Sequence, residues 1–281
     1  MSSPAPPVDA LAERLAAVSG VIAVALGGSR ARGTARPDSD WDLAVYYRPP
    51  LDVAAIRSLA GEVADPGSAV TVTVPGEWGR WVDGGAWLTV AGHRVDLLYR
   101  ELDRVAAAWD DCQAGRYEVG FQVGHPLGFY SHAYVGEAAT CRILRDPSGA
   151  LTTLRAEAGR YPRPLAETLV ARMWEAGFLV ENAAKVAPAG DTAYVAGCLF
   201  RAVGVLAHGL HGHAHRWLAA EKGILSASAG LPGAPADFAA RAGALLGAVG
   251  TTPAELAATL AAATDLVATT REAVGSGASH H

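Results

Sequence analysis

The sequence predicts an α+β fold, a mixed-sheet domain followed by an all-α domain. The first hundred residues alternate short β-branched runs (VIAVAL at 21–26, WDLAVYY at 41–47, AVTVTV at 69–74) with short helical stretches. From Leu165 onward the residues are helix formers, with no further strand pattern. At 281 residues, 51% hydrophobic and 18% charged, the chain is globular and long enough for one large or two modest domains.

Taken in order, Val8, Leu11, Leu15 and Val18 have helical spacing between a Pro-rich lead-in and Gly20. Val21–Leu26 is a short buried strand, and a Gly-Gly-Ser turn follows in which Ser29 is placed to cap a short helix through Arg30–Arg32. Trp41–Tyr47 is a second strand, with Trp41, Leu43 and Val45 on the face opposite Asp40 and Asp42. Val53–Val63 reads as a helix and Ala69–Val74 as a third strand. Ala86–Val90 and Arg94–Tyr99 flank a tight hairpin at Ala91-Gly92-His93. Helices on one side of this sheet are the simplest layout, with the first domain spanning 1–104.

Leu102–Ala114 is helical in pattern, Gly115–Tyr134 reads as loop plus a turn of helix, and Val135–Leu144 as helix or strand before a sharp turn at Asp146–Gly149. Helices are expected at Leu165–Lys185, Thr192–His208, His213–Lys222, Ala236–Val249 and Pro253–Val274, with a linker at Ser226–Pro235. The helical domain then covers 105–275, and 276–281 is a tail.

The net charge of −5 and the lack of any Lys/Arg run argue against duplex nucleic acid as a partner. Cys112, Cys141 and Cys198 are isolated, without disulfide or zinc spacing, so a reducing compartment is expected. The start MSSPAPPVDA lacks the basic and apolar regions of a signal peptide, and no apolar stretch reads as long enough to span a membrane. A cytoplasmic location without membrane contact is the expectation, and the oligomeric state is left open.

The chemistry concentrates in Leu26–Tyr47, LGGSRARGTARPDSDWDLAVYY. Asp40 and Asp42 are two apart in an extended segment and face one spot. Carboxylates so placed repel unless a cation lies between them, and hard oxygen ligands suit Mg²⁺ together with substrate phosphates. Gly28 and Ser29 offer a tight turn to a phosphate, and Arg30 an always-charged fork. Arg32 and Arg36 fit a phosphate contact and a solvated position equally well, and Asp38 belongs to the loop, where capping or turning is favoured over metal binding.

This stretch, Gly-Ser-Arg-x-x-Gly-Thr followed by Asp-Ser-Asp-Trp-Asp, resembles the signature of the polymerase-β-like nucleotidyltransferase superfamily, in particular its small antibiotic and stand-alone members. The resemblance is strongest over roughly the first hundred residues. It implies a third metal carboxylate on a later strand, matched by Asp96 in Arg94-Val95-Asp96-Leu97-Leu98. It also implies two Mg²⁺ ions, a nucleoside triphosphate held by Gly28, Ser29 and Arg30, and an α-helical second domain. A general base is implied near the second domain: Glu137 is the first choice, with Glu101 and Glu118 behind it. The helix end Trp217-x-x-x-Glu221-Lys222 is similar to one whose lysine leans toward the triphosphate, and it equally fits ordinary C-terminal charge placement.

His208, His211, His213 and His215 are read as structural, because Gly209 and Gly212 interrupt the helix and no acid is near. Trp78, Trp81 and Trp87 fit a lip over a substrate and a cover for the sheet edge equally well. The activity implied is Mg²⁺-dependent transfer of an NMP group, AMP from ATP, to a hydroxyl of a small-molecule acceptor lying between the domains, of an aminoglycoside-like kind, with release of pyrophosphate. Two alternatives stand beside it: a protein-modifying AMP transferase and a nucleotide-binding module without catalysis.

Overall fold

The computed structural model describes residues 5–277. The chain divides into two compact units. One comprises the residues up to Asp111 with Tyr117–Arg160, the other Cys112–Arg116 with the residues from Tyr161 on.

The first unit contains α1 (Val8–Ala16), β1 (Val21–Leu26), α2 (Gly28–Ala31), β2 (Trp41–Tyr47), α3 (Val53–Val63), β3 (Thr71–Val72), β4 (Gly85–Val90), β5 (His93–Glu101) and most of α4 (Leu102–Gln113). It continues with β6 (Val119–Gln122), β7 (His125–Tyr130), α5 (His132–Thr140), β8 (Arg142–Arg145) and α6 (Ala150–Ala158). The main sheet has the order β3-β4-β5-β2-β1-β8, and β6-β7 form a separate hairpin. The β2/β5 pair is parallel and the other neighbours antiparallel, so the sheet is mixed, as expected.

Period-two alternation sorts the strands' side chains onto two faces. Val24, Leu26, Leu43, Val45, Leu88, Val95 and Leu97 share a core with Leu11 and Leu15 of α1 and Ile56 and Leu59 of α3. Burying each such side chain contributes roughly 1.5–3 kcal/mol before conformational entropy is counted. Asp52 caps α3 by accepting a hydrogen bond from the Ala55 amide at 2.9 Å. The other face carries Asp42, Ala44 and Tyr46 on β2, and Asp96, Leu98 and Arg100 on β5.

The structure departs from several expectations. The third strand is only Thr71–Val72, two residues of the six expected. The Gly115–Tyr134 stretch forms the β6–β7 hairpin, and 135–144 divides between α5 and β8. Strand β8 returns to the main sheet beside β1, with Ile143 opposite Ala25. A boundary at residue 104 therefore falls inside the first compact unit, because a sheet edge is completed by residues that come later. Helices are not confined to one side, since Glu137 of α5 pairs with Arg100 on the second face.

The second unit contains α7 (Arg163–Ala171), α8 (Trp174–Val186), a 3₁₀ turn at Ala187–Ala189, α9 (Thr192–His213), α10 (Ile224–Ser228), α11 (Phe238–Gly247) and α12 (Pro253–Gly277). Its core gathers Val180, Leu199, Leu206, Leu210, Phe238, Leu260 and Leu266. The expected helix 165–185 is broken between α7 and α8. Glycine does not interrupt α9: a Cβ on Gly209 would overlap Met173, and one on Gly212 would lie 2.9 Å from Leu169 Cβ. Close helix packing there outweighs glycine's cost of about 1 kcal/mol. By length and composition α9 is apolar enough to cross a membrane, contrary to expectation, but 67% of that window is buried inside the protein.

The helix expected at His213–Lys222 does not form. His215 adopts φ +51°, its amide bonds Gly212 O at 3.0 Å, and the Arg216 amide bonds His211 O at 2.9 Å. That is a Schellman ending, here with histidine in the left-handed position. Lys222 is consequently an exposed residue of an irregular segment. At the far end α12 runs to Gly277, two positions into the expected tail. The rest of that tail (278–281) and the first four residues of MSSPAPPVDA lie outside the described residues. All three cysteines are buried thiols.

Candidate active site

One rung of the main sheet brings Asp42 and Asp96 together beside the glycine turn. The Gly27 amide at the end of β1 donates to Asp42 O at 2.8 Å. Asp42 on β2 lies opposite Asp96 on β5, Asp96 opposite Trp87 on β4, and Trp87 opposite Thr71 on β3. Partners across neighbouring strands share a face, so Asp42, Asp96 and Trp87 stand side by side away from the apolar core. Gly28 has φ +60°, and a Cβ there would overlap the Asp42 Oδ2. The glycine turn and the carboxylate are thus packed directly on each other, a contact that only glycine permits.

The two carboxylates are electrostatically strained. Burial, then Asp40 and Glu137, raise the pKa of Asp42. Burial, then Asp42 and Asp40, push Asp96 up to about 6. Both are costly to ionise where they stand, the condition a bound cation relieves.

Asp40 is different. It precedes β2 and makes an ion pair with Arg94 at 2.6 Å. Among the described residues no three His, Cys, Asp or Glu side chains converge as a metal-holding group. The expected trio is therefore assembled in part: Asp42 and Asp96 fit a divalent cation, while Asp40 is engaged by an arginine.

Arg30, expected at a phosphate, braces the loop leading into β2. Its Nε donates to Asp40 O at 3.1 Å and its Nη2 to Ser39 O at 2.6 Å, and its guanidinium lies 4.1 Å from the centre of the Trp41 ring. Ser29 lies inside α2, with Gly27 instead at the N-cap position. The Ser29 carbonyl accepts from the Thr34 amide at 3.0 Å.

Two rungs further along the same face, Tyr46 stands opposite Arg100. Arg100 donates to Glu137 from Nε at 2.6 Å and from Nη2 at 3.0 Å, so both carboxylate oxygens are used. Glu101 pairs with Arg104 at 2.7 Å and Glu118 with Arg80 at 3.1 Å, so every acid considered as a base is ion-paired. Lys222 belongs to the second unit, unlike all the other expected site residues.

The tryptophans separate into two roles. Trp81 is buried and stacked on Phe129 at 5.8 Å, with its carbonyl accepting from the Tyr134 hydroxyl. Trp78 stacks on Trp87 with ring centroids 4.2 Å apart and planes 19° apart. The loop carrying them is pinned by Gln122, whose Oε1 accepts from the Trp81 and Val82 amides at 3.2 and 3.0 Å and whose Nε2 donates to Trp78 O at 2.8 Å. Sequence reasoning had no hold on Gln122 or Arg100, since neither belongs to a motif.

Residues 8–107 match the nucleotidyltransferase domain family model. That stretch is a nucleotidyltransferase domain. The match spans α1 through β5 and ends within α4, and so contains the whole rung from Gly27 to Trp87. Among solved structures, a nucleotidyltransferase-like protein from Exiguobacterium sibiricum 255-15 is 13% identical, with a TM-score of 0.44 over 91% of this chain and 71% of that one. No curated protein matches the chain.

Proposed function

We propose that the nucleotidyltransferase domain moves a nucleoside monophosphate, AMP from ATP, onto a hydroxyl of a small-molecule acceptor and releases pyrophosphate. The single observation that carries this reading is the rung in which the Gly27–Gly28 turn, Asp42 and Asp96 adjoin. The acceptor oxygen attacks the α-phosphorus, the bond from that phosphorus to the bridging oxygen of the β-phosphate breaks, and the hydroxyl proton passes to a base. Asp42 and Asp96 would hold a divalent cation, which neutralises phosphate charge when bound. The Gly28–Ser29 turn would carry the triphosphate beside them. Catalysis of this kind is mainly positioning and electrostatic stabilisation. Glu137, whose oxygens each accept one hydrogen bond from Arg100, would act as the base through a remaining lone pair.

An acceptor of aminoglycoside-like type fits the mild overall acidity, −5 for the chain. We place the reaction in a reducing, cytoplasmic setting on the strength of the three thiols. The test is incubation with ATP labelled at the α-phosphate, Mg²⁺ and a set of candidate hydroxyl acceptors. Label on a small molecule, abolished by Asp42→Asn, is the expected result. Label appearing on protein would redirect the reading to protein modification, and nucleotide binding without turnover would reduce it to a binding module.

A further inference from the structure

The rung runs in the order Gly27, Asp42, Asp96, Trp87, with the glycine turn at one end and an indole at the other. With strands about 4.8 Å apart, three spacings put roughly 14 Å between the two ends. In an in-line displacement the attacking and leaving oxygens lie on opposite sides of the phosphorus. If the pyrophosphate leaves toward the glycine turn, the acceptor approaches from the Trp87 side. We propose that the Trp78–Trp87 stack is the acceptor platform of this domain and that it selects a ring-bearing alcohol which lies flat on Trp78. The inference rests on the nucleotidyl-transfer reading above.

Three features fit a platform. Trp78 is 41% exposed although it is a large apolar residue, so an indole is presented to solvent rather than buried. It is also held in place. Trp87 backs it at 4.2 Å, and Gln122, itself 3% exposed, grips its carbonyl and the two amides at 81 and 82. A rigid aromatic presented in this way binds rings with little entropy to lose. Finally, a neutral or cationic ring gains from the quadrupole of the indole that Trp78 presents.

The experiment measures binding of four probes to the full chain: MgATP, glucosamine (a saturated ring), tyramine (a planar ring) and glycerol (a linear alcohol). Wild type, Trp78→Ala and Trp78→Phe are compared by equilibrium dialysis and indole fluorescence. Trp78→Ala should weaken at least one ring probe by about tenfold and Trp78→Phe should restore it to within about threefold, whereas MgATP should change by less than about twofold. Glucosamine responding alone identifies a sugar-like acceptor, and tyramine alone a planar one. The proposal is overturned if Trp78→Ala weakens MgATP instead, which would make the stack a nucleobase site. It is equally overturned if wild type prefers no ring probe to glycerol, or if ring binding ignores the substitution. Failure of wild type to bind MgATP, with ring binding still Trp78-dependent, would count against the nucleotidyl reading and leave the platform standing.

Discussion

Along the second face of the first unit's sheet, two rungs four residues apart along each strand meet charge in opposite ways. At one, Asp42 and Asp96 lie opposite each other with raised pKa values, and neither is held in an ion pair like that of Arg100. At the other, Arg100 is almost fully buried, yet both oxygens of Glu137 accept from it. The strands and the face are the same. What differs is whether the charge is answered from within the chain. A charge answered internally stabilises the fold, and one left unanswered awaits a ligand. The contrast separates the residues holding the sheet together from those the ligand would complete.

The largest effect should come from opening the answered rung. Glu137→Ala leaves Arg100 buried without its partner and should cost about 3–5 kcal/mol, read as a lowered Tm. Replacing both partners, Arg100→Met with Glu137→Leu, should recover most of that loss. If the single variant is as stable as wild type, Glu137 is not structural and its role as a base regains weight.

At the unanswered rung, Gly28→Ala should cost ~2 kcal/mol through left-handed strain and displace Asp42, with transfer activity falling at least tenfold. Asp96→Asn should act in the other direction on stability. A carboxylate whose folded pKa, about 6, exceeds its unfolded value binds its proton more tightly in the folded state. Its contribution is favourable at low pH and is lost as pH rises from about 4 through 6. The cation-free protein should therefore become less stable across that window. Asp96→Asn should flatten the slope and gain on the order of 1 kcal/mol at pH 7, after discounting for solvent screening, while losing activity. Urea unfolding at pH 4.5 and 7 measures both.

Much of this face was legible because local rules and tertiary packing agree there. Val21–Leu26, Trp41–Tyr47 and Val53–Val63 form over the residues expected, and the Gly27–Gly28 turn adjoins Asp42 on the rung that pairs it with Asp96. The failures have a physical pattern. Placing the hairpin turn at Ala91-Gly92-His93 pairs Val90 with Arg94, whereas the structure pairs Val90 with His93. That slip of one residue moves Trp87 to the wrong face, since strand side chains alternate, and it hides the Trp87–Asp96 neighbourhood. Strand β8 draws stability from a partner over a hundred residues away, and Gln122 acts on backbone atoms about forty residues upstream. Local sequence carries no mark of such partners.

The smallest expected effect bears on the residue where expectation and geometry disagree. The Arg94–Asp40 pair is largely exposed on the arginine side, 72% against 33% for the aspartate. Exposed ion pairs of this kind contribute about 0–1 kcal/mol, so Arg94→Ala should leave stability within roughly 0.5 kcal/mol of wild type. Its consequence for cation binding is more informative. If Asp40 is a ligand that Arg94 occupies in the absence of metal, removing the guanidinium frees a carboxylate and concentrates negative charge beside Asp42 and Asp96. Mg²⁺ affinity, titrated calorimetrically with a nonhydrolysable ATP analogue present, should then rise a fewfold (roughly 1 kcal/mol or less). Arg94→Ala with Asp40→Asn should return to the affinity of Asp40→Asn alone. An affinity that does not respond to Arg94 in either background would confine the cation site to Asp42 and Asp96, and leave Asp40 to the loop that Arg30 closes.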